Sequence, residues 1–250
     1  MIEQSRYKAP ALTKGLEILE YLAQTGGELN AREISTGLKR SVGEIYRVLQ
    51  VLEELGYISR SESGFSLTNR LLALSMGRPV IRDLVTAAVP IMHNLACKAG
   101  QSCHLVVASS AEMVVIAGVE APGLIGFAVR VGYRRPLHRS ASGRVLLAFQ
   151  SAEGRREMID EIREGGELID DHTLAIELDT IASDGGCVAP SPVITGITDL
   201  SAPVRIAGQA RAALTVPFVH GHDAHVDLAS LRAAVWSAAM RIANQLVPPA

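Results

Sequence analysis

The chain has 250 residues, 48% of them hydrophobic, and a formal net charge of −2, enough apolar material for one large core or two ordinary ones. Its three cysteines, Cys97, Cys103 and Cys187, are odd in number and lack CxxC spacing, which argues against a disulfide framework or structural zinc and fits a reducing compartment. Met1–Lys14 lacks the apolar run of a signal peptide, and Glu120, Pro122 and Arg130 break the most apolar stretch, Met113–Val131, so a cytoplasmic protein without membrane spans is expected.

Residues 1–10 read as a loose arm. Leu12, Leu16, Leu19 and Ala23 recur at helical spacing and predict a first helix that ends at Gly26-Gly27. Two short helices follow, each opened by a capping-box pair, Asn30 with Glu33 and Ser41 with Glu44. Leu38 is the apolar turn residue between them. The second of these helices keeps Ile45, Val48, Leu49 and Leu52 on one face, and Gly56 stops it. Tyr57 to Thr68 then predicts a strand, a turn at Glu62-Ser63-Gly64, and a second strand with Phe65 and Leu67 on one side. Three helices and a β-wing make a winged helix-turn-helix, whose second motif helix is shaped for the major groove of double-stranded DNA.

Thr68-Asn69 can cap a short helix from Arg70 to Met76. Gly77-Arg78-Pro79 marks the expected boundary between an N-terminal domain, 1–77, and a C-terminal domain, 78–250. A longer helix, Ile81 to Ala99, carries Leu84, Ala88, Ile91 and Leu95 on one stripe, with a bend near Pro90. Beyond it the pattern predicts a hairpin (Ser102–Ser109 and Met113–Val119) and a third strand at Leu124–Val131. A helix is expected from His138-Arg-Ser-Ala-Ser-Gly143 through Phe149, another over Ala152–Glu164, and one capped by Thr173 that runs to about Ser183. Strands at Thr198–Arg205 and Arg211–Val219 precede a final helix, Val226–Leu246, with Leu228, Leu231, Val235 and Ile242 inward. Strands outnumber crossover helices, so the class is α+β with a mostly antiparallel sheet flanked by helices.

The DNA-reading face is expected to run through Arg40, Ser41, Val42, Gly43, Glu44, Tyr46, Arg47 and Gln50, with Arg60 and Ser61 in the wing. Arg47 suits a guanine edge, Gln50 an adenine, and Tyr46 or Arg40 a phosphate. The alternative is that Arg47 pairs with Glu44 or Glu54 on a solvated face. Residues 1–77 hold nine Lys/Arg and nine Asp/Glu, so this domain is formally neutral and its affinity as a monomer should be modest. Two half-sites read by a dimer would compensate.

In the C-terminal half, Ser140-Ala141-Ser142-Gly143 opens a helix, and unpaired N–H groups at a positive dipole end suit a carboxylate. The competing reading is an ordinary capped helix whose glycine serves close packing. His220-Gly-His222-Asp-Ala-His225 is better read as a solvated loop than as a metal site. Cys103-His104 cannot form a nucleophile–base pair, because neighbours on a strand point to opposite faces. No GxSxG, P-loop or dinucleotide fingerprint appears, so neither a cofactor nor an enzyme is expected. A small-molecule enzyme with an accessory winged helix is the rival, and a regulator whose second domain serves only oligomerisation is a third possibility.

Glu33-Ile34 to Arg47-Val48-Leu49 and Leu55-Gly56-Tyr57-Ile58 resemble the winged helix of the IclR family of bacterial transcription regulators. Three later segments extend the likeness. These are Val131-Gly-Tyr-Arg-Arg-Pro-Leu-His138, Ser140-Ala-Ser-Gly-Arg-Val-Leu-Leu-Ala-Phe149, and Gly196-Ile-Thr-Asp-Leu-Ser-Ala-Pro-Val204 with Gly208 and Ala212-Ala-Leu-Thr-Val216. Lys39-Arg40-Ser41-Val42 stands where that family often has Gly-Leu-Pro-Lys, so no operator sequence carries over.

The resemblance implies a linker helix between the winged helix and a GAF-like effector domain. It also implies homodimers or homotetramers on pseudo-palindromic operators, acting as repressor or activator. Ala141, Ser142 and Gly143 would line the effector site, Leu124 and Phe127 would form its apolar wall, and Asp199 and Ser201 would lie on the opposing strand. An ionised Asp199 would repel a bare carboxylate, so a hydroxylated or amino-bearing organic acid best reconciles these features.

Overall fold

The computed structural model describes residues 9–76, 79–122, 127–220 and 226–246. The chain divides into two compact units, Met1–Arg82 and Asp83–Ala250. Of the break expected at Arg78-Pro79, Arg78 lies outside the described residues and Pro79 opens a helix.

Unit 1 begins with α1 (Pro10–Thr25), closed by Gly26 in the left-handed conformation. Its buried face is Gly15, Ile18, Leu19 and Leu22; Leu12 and Leu16, expected inside, are 64% and 52% exposed. The apolar stripe is therefore rotated from the one first counted. The missing side chain at Gly15 explains part of this, since Val48 packs directly over it.

Both capping boxes form. Asn30 opens α2 (Ala31–Gly37), and Ser41 opens α3 (Val42–Glu54). Ile34, Ile45 and Leu49 are fully buried with Ile18, and Phe65 closes this core from the wing. The wing pairs β1 (Ile58–Arg60) with β2 (Phe65–Leu67). At the turn, a Cβ on Gly64 would collide with the Leu29 backbone, which bridges to Phe65. Helix α4 (Arg70–Met76) follows, with Thr68 Oγ1 accepting from the Arg70 N–H.

Unit 2 is built on a six-stranded sheet in the order β5-β4-β3-β8-β7-β6, all pairings antiparallel. The strands are β3 (Cys103–Ser109), β4 (Glu112–Val119), β5 (Arg134–Pro136), β6 (Cys187–Pro190), β7 (Ile197–Ile206) and β8 (Gln209–Val219). One face packs on α5 (Pro79–Ala99) and α9 (Leu228–Leu246), which bury Leu84, Ala88, Ile91 and Leu95, and Leu231, Val235 and Ile242. The opposite face carries α6 (Ala141–Ala148), α7 (Ala152–Glu164) and α8 (Asp171–Asp184), with Leu146, Ile162 and Leu178 at the centre of a second core. Among the described residues no helix is long and apolar enough to cross a membrane.

Several expectations need correction. The third strand is Arg134–Pro136 rather than Leu124–Val131: residues 127–130 have no regular structure, and 123–126 lie outside the described residues. Pro122, Gly123 and Gly132 flank that segment and Gly126 interrupts it, and Phe127 and Val129 line a cavity. Strand β6 was not anticipated, being short, at the edge and ended by a proline. Asp170, not Thr173, caps α8, accepting from the N–H groups of His172 and Thr173. Leu228 is 36% exposed rather than inward, because α9 begins there.

Candidate nucleic-acid interface and effector cavity

The exposed side of α3 mixes polar residues with Val42, Tyr46 and Val51. Ser41, Gly43, Glu44, Arg47 and Gln50 are exposed, with Val42 and Tyr46 at 43% and 40%. The side chains differ in what already holds them. The Arg40 guanidinium makes a fork on Glu17, at 2.7 Å from Nη2 and 3.0 Å from Nε, tying the turn to α1. Glu44 completes the Ser41 cap and meets Lys14 Nζ at 3.0 Å. The lysine hydrogen bond, then the Ser41 N–H, hold the Glu44 carboxyl down to about 2. Arg47, Gln50 and Tyr46 make no side-chain hydrogen bond or ion pair among the described residues, and Arg47 pairs with neither Glu44 nor Glu54. In the wing Arg60 lies over the Phe65 ring at 5.6 Å, while the Ser61 hydroxyl donates to Glu28.

In unit 2, a cavity of about 240 Å³ lies between the sheet and the start of α6. Phe127, Ala141, Ser142 and Asp199, four of the candidate effector residues, line it. Leu124 lies outside the described residues. Gly143 and Ser201 do not line it. The Gly143 N–H is taken by Ser140 Oγ at 3.0 Å, and a Cβ there would collide with the Leu137 backbone. Close packing thus accounts for Gly143, while the N–H groups of Ala141 and Ser142 have no acceptor among the described residues. Ser201 is fully buried and hydrogen-bonded to Thr215 Oγ1 at 2.9 Å.

The polar lining residues that sequence reasoning missed include His104, Arg130, Tyr133, Arg135, Ser191 and Thr215. Burial raises the Asp199 pKa, opposed by a Ser191 hydrogen bond and by the charges of Arg135 and Arg144. Burial also drives His104 down to about 4, so its ring is neutral at pH 7, and its Nδ1 has no partner.

The sign of the pH effect follows. A histidine depressed from 6.5 to about 4 on folding takes up its proton more readily in the unfolded chain. Its contribution is complete above pH 6.5 and is lost as the pH falls toward 4, roughly 3 kcal/mol in all. Urea unfolding across this window should show a shallower slope for His104→Phe than for the wild type; equal slopes would mean the ring ionises freely in the folded chain.

The remaining motifs recede. Cys103 points into the opposite core from His104, and burial pushes its thiol up to about 12, unsuited to nucleophilic work. His220 hydrogen-bonds Thr198 at 3.0 Å, while His222, Asp223 and His225 lie outside the described residues.

The family model for the IclR helix-turn-helix domain matches residues 11–62, and that for the C-terminal region of bacterial transcriptional regulator IclR matches residues 80–244. The HTH-type transcriptional repressor AllR of Klebsiella pneumoniae is 27% identical over 205 residues, covering 78% of this chain and 74% of that protein. An IclR transcriptional regulator from Alicyclobacillus acidocaldarius has a TM-score of 0.72 at 20% identity, covering 96% of this chain and 99% of its own. An IclR homologue from Microbacterium hydrocarbonoxydans, crystallised with 4-hydroxybenzoate, reaches a TM-score of 0.77 at 21% identity, over 94% of this chain and 98% of its own. At such identities these structures speak for the fold alone.

Proposed function

The chain belongs to the IclR family of bacterial transcription regulators, and on that premise we propose that an organic acid bound in the α6 cavity controls how tightly the winged helix holds operator DNA. The observation that carries this reading is the pair of unspent N–H groups at Ala141 and Ser142, set beside Arg130 and Arg135 in one cavity. Oriented backbone donors with guanidinium groups favour a carboxylate. On the DNA side, Arg47, Gln50 and Tyr46 are the readers, with Val42 and Gly43 allowing close approach and Arg60 touching backbone. Arg40 and Glu44 serve by holding the turn and helix start in place.

A formally neutral reading domain implies a homodimer or homotetramer on a pseudo-palindromic operator, with half-sites roughly 34 Å apart. The acid shifts the equilibrium only as far as it prefers one arrangement of the paired winged helices over the other. The 4-hydroxybenzoate held by the Microbacterium relative makes that acid a sensible first probe.

Two measurements test the reading. Fluorescence anisotropy on the DNA upstream of its own gene should show binding that weakens steeply with salt and changes when a carboxylic acid is added. The same acid should raise the melting temperature by mass action. Ser142→Trp, which fills the cavity, should abolish both responses to the acid while leaving DNA affinity in place. An acid response that survives this substitution would put the effector elsewhere.

A further inference from the structure

The polar side chains at the start of α3 are already engaged within the protein. The Ser41 hydroxyl accepts from the Glu44 N–H at 3.3 Å and donates to Glu44 Oε2 at 3.1 Å. The same carboxylate oxygen takes the Ser41 N–H at 3.2 Å, and Lys14 Nζ holds the other at 3.0 Å. Just ahead of them, Arg40 is forked on Glu17. The side-chain surface left free at this end of the helix is apolar.

Val42 and Tyr46 stay exposed while Ile45 and Leu49 on the inner face are fully buried. They stand one helical turn apart, and a long helical side chain leans toward the N-terminus, which brings the Tyr46 ring over the turn at Val42. Gly43 lies between them, three residues before Tyr46 and four before Arg47. A Cβ at Gly43 would meet nothing within 4 Å. The result is an open notch with a glycine floor, apolar walls at Val42 and Tyr46, and the exposed Arg47 at its border.

We infer that this notch takes the 5-methyl group of a thymine, so that Val42 and Gly43 set operator specificity by apolar contact. The inference rests on α3 entering the major groove, as proposed above. The first residues of a recognition helix are the ones that meet base edges there, and thymine is the base that turns a methyl group into that groove.

Cytosine in the same place fails twice. It lacks the methyl, and it presents an amino donor for which the obvious acceptor, Glu44, is committed to Ser41 and Lys14. A donor desolvated without a partner weakens the complex further. Removing the methyl alone forfeits the burial of one carbon, which corresponds to about a fourfold change in affinity. Valine and a tyrosine ring are suitable walls for such a group, since neither places a polar atom that the methyl would leave unpaired at the contact.

The test uses the full-length protein and a duplex enriched for binding to it from random-sequence DNA. Each thymine of that duplex is replaced in turn by deoxyuridine, which removes the methyl and keeps every hydrogen-bonding group. Fluorescence anisotropy should reveal a thymine in each half-site whose replacement weakens binding about fourfold. In Val42→Ala that penalty should largely vanish. In Gly43→Ala the added methyl occupies the notch, so the thymine duplex should lose its advantage over the deoxyuridine duplex. Both positions are exposed, and either variant alone suffices if the other fails to fold.

Equal affinity for every deoxyuridine duplex in the wild type removes the methyl contact and leaves DNA binding through α3 standing. A penalty that persists unchanged in both variants traces the methyl to another residue or to DNA stiffness, and overturns the roles given to Val42 and Gly43. Enrichment of no duplex removes the α3 reading face together with this inference.

Discussion

Gly143→Ala is expected to cost unit 2 about 3 kcal/mol or more and to erase the response to acids, although Gly143 itself touches no ligand. The added Cβ would strike the Leu137 backbone, including its carbonyl oxygen, and that neighbour has little freedom to yield. Leu137 is fully buried, and its own N–H is held by the Ala111 carbonyl at 3.0 Å. Relief therefore requires moving the start of α6, which carries the free N–H groups of Ala141 and Ser142 out of line with the cavity. Gly43→Ala is the matched comparison: a Cβ there meets nothing within 4 Å, and α3 should gain about 0.5–1 kcal/mol of helix propensity. Urea midpoints for the two variants should move in opposite directions. A Gly143→Ala protein as stable as wild type would mean that α6 can shift freely on the sheet.

The contrast between these glycines shows what was legible beforehand. The starts of α2 and α3 were readable because a cap is a local transaction: Asn30 and Ser41 each satisfy donors within three residues of themselves. The start of α4 followed from the same kind of signal, Thr68 ahead of Arg70. The inward face of α1 was not readable, because Leu12-Leu16 and Gly15-Ile18-Leu19-Leu22 are both helical stripes. Only the fit against Val48 and Leu52 decides between them.

The cavity was half visible for a related reason. Ala141, Ser142 and Asp199 sit in segments whose geometry is local. His104 and Thr215 reach the site through strand register, which joins residues more than a hundred positions apart. Ser201 was expected in the cavity, but its hydroxyl is fully buried and hydrogen-bonded to Thr215, which lines the cavity in its place. An apolar segment such as 127–130 reads as a strand when its side chains are counted without knowing that they face a cavity.

Arg47→Ala should weaken operator binding by roughly 1–3 kcal/mol per half-site, about a fivefold to 150-fold loss each, with no change in the unfolding midpoint. The expectation rests on how the cations on and around α3 are committed. Arg40 is held by Glu17 and Lys14 by Glu44, so both are anchored to the protein's own carboxylates. Arg47 is exposed and unengaged among the described residues, and a guanidinium fork matches the two acceptors of a guanine edge.

Three comparisons assign its role. Lysine at position 47 should restore little, because a point charge cannot make the paired contact. If Arg47 reads a base, the alanine variant should bind wild-type and single-base-altered operators almost equally, with the salt dependence preserved. If it holds a phosphate, the loss should be uniform across sequences and the salt slope should fall by about one. Arg40→Ala should behave differently from either. Loss of its Glu17 fork loosens the turn ahead of α3, so stability and DNA affinity should fall together. Unchanged DNA affinity in Arg47→Ala would take this residue off the reading face and leave Tyr46 and Gln50 to carry it.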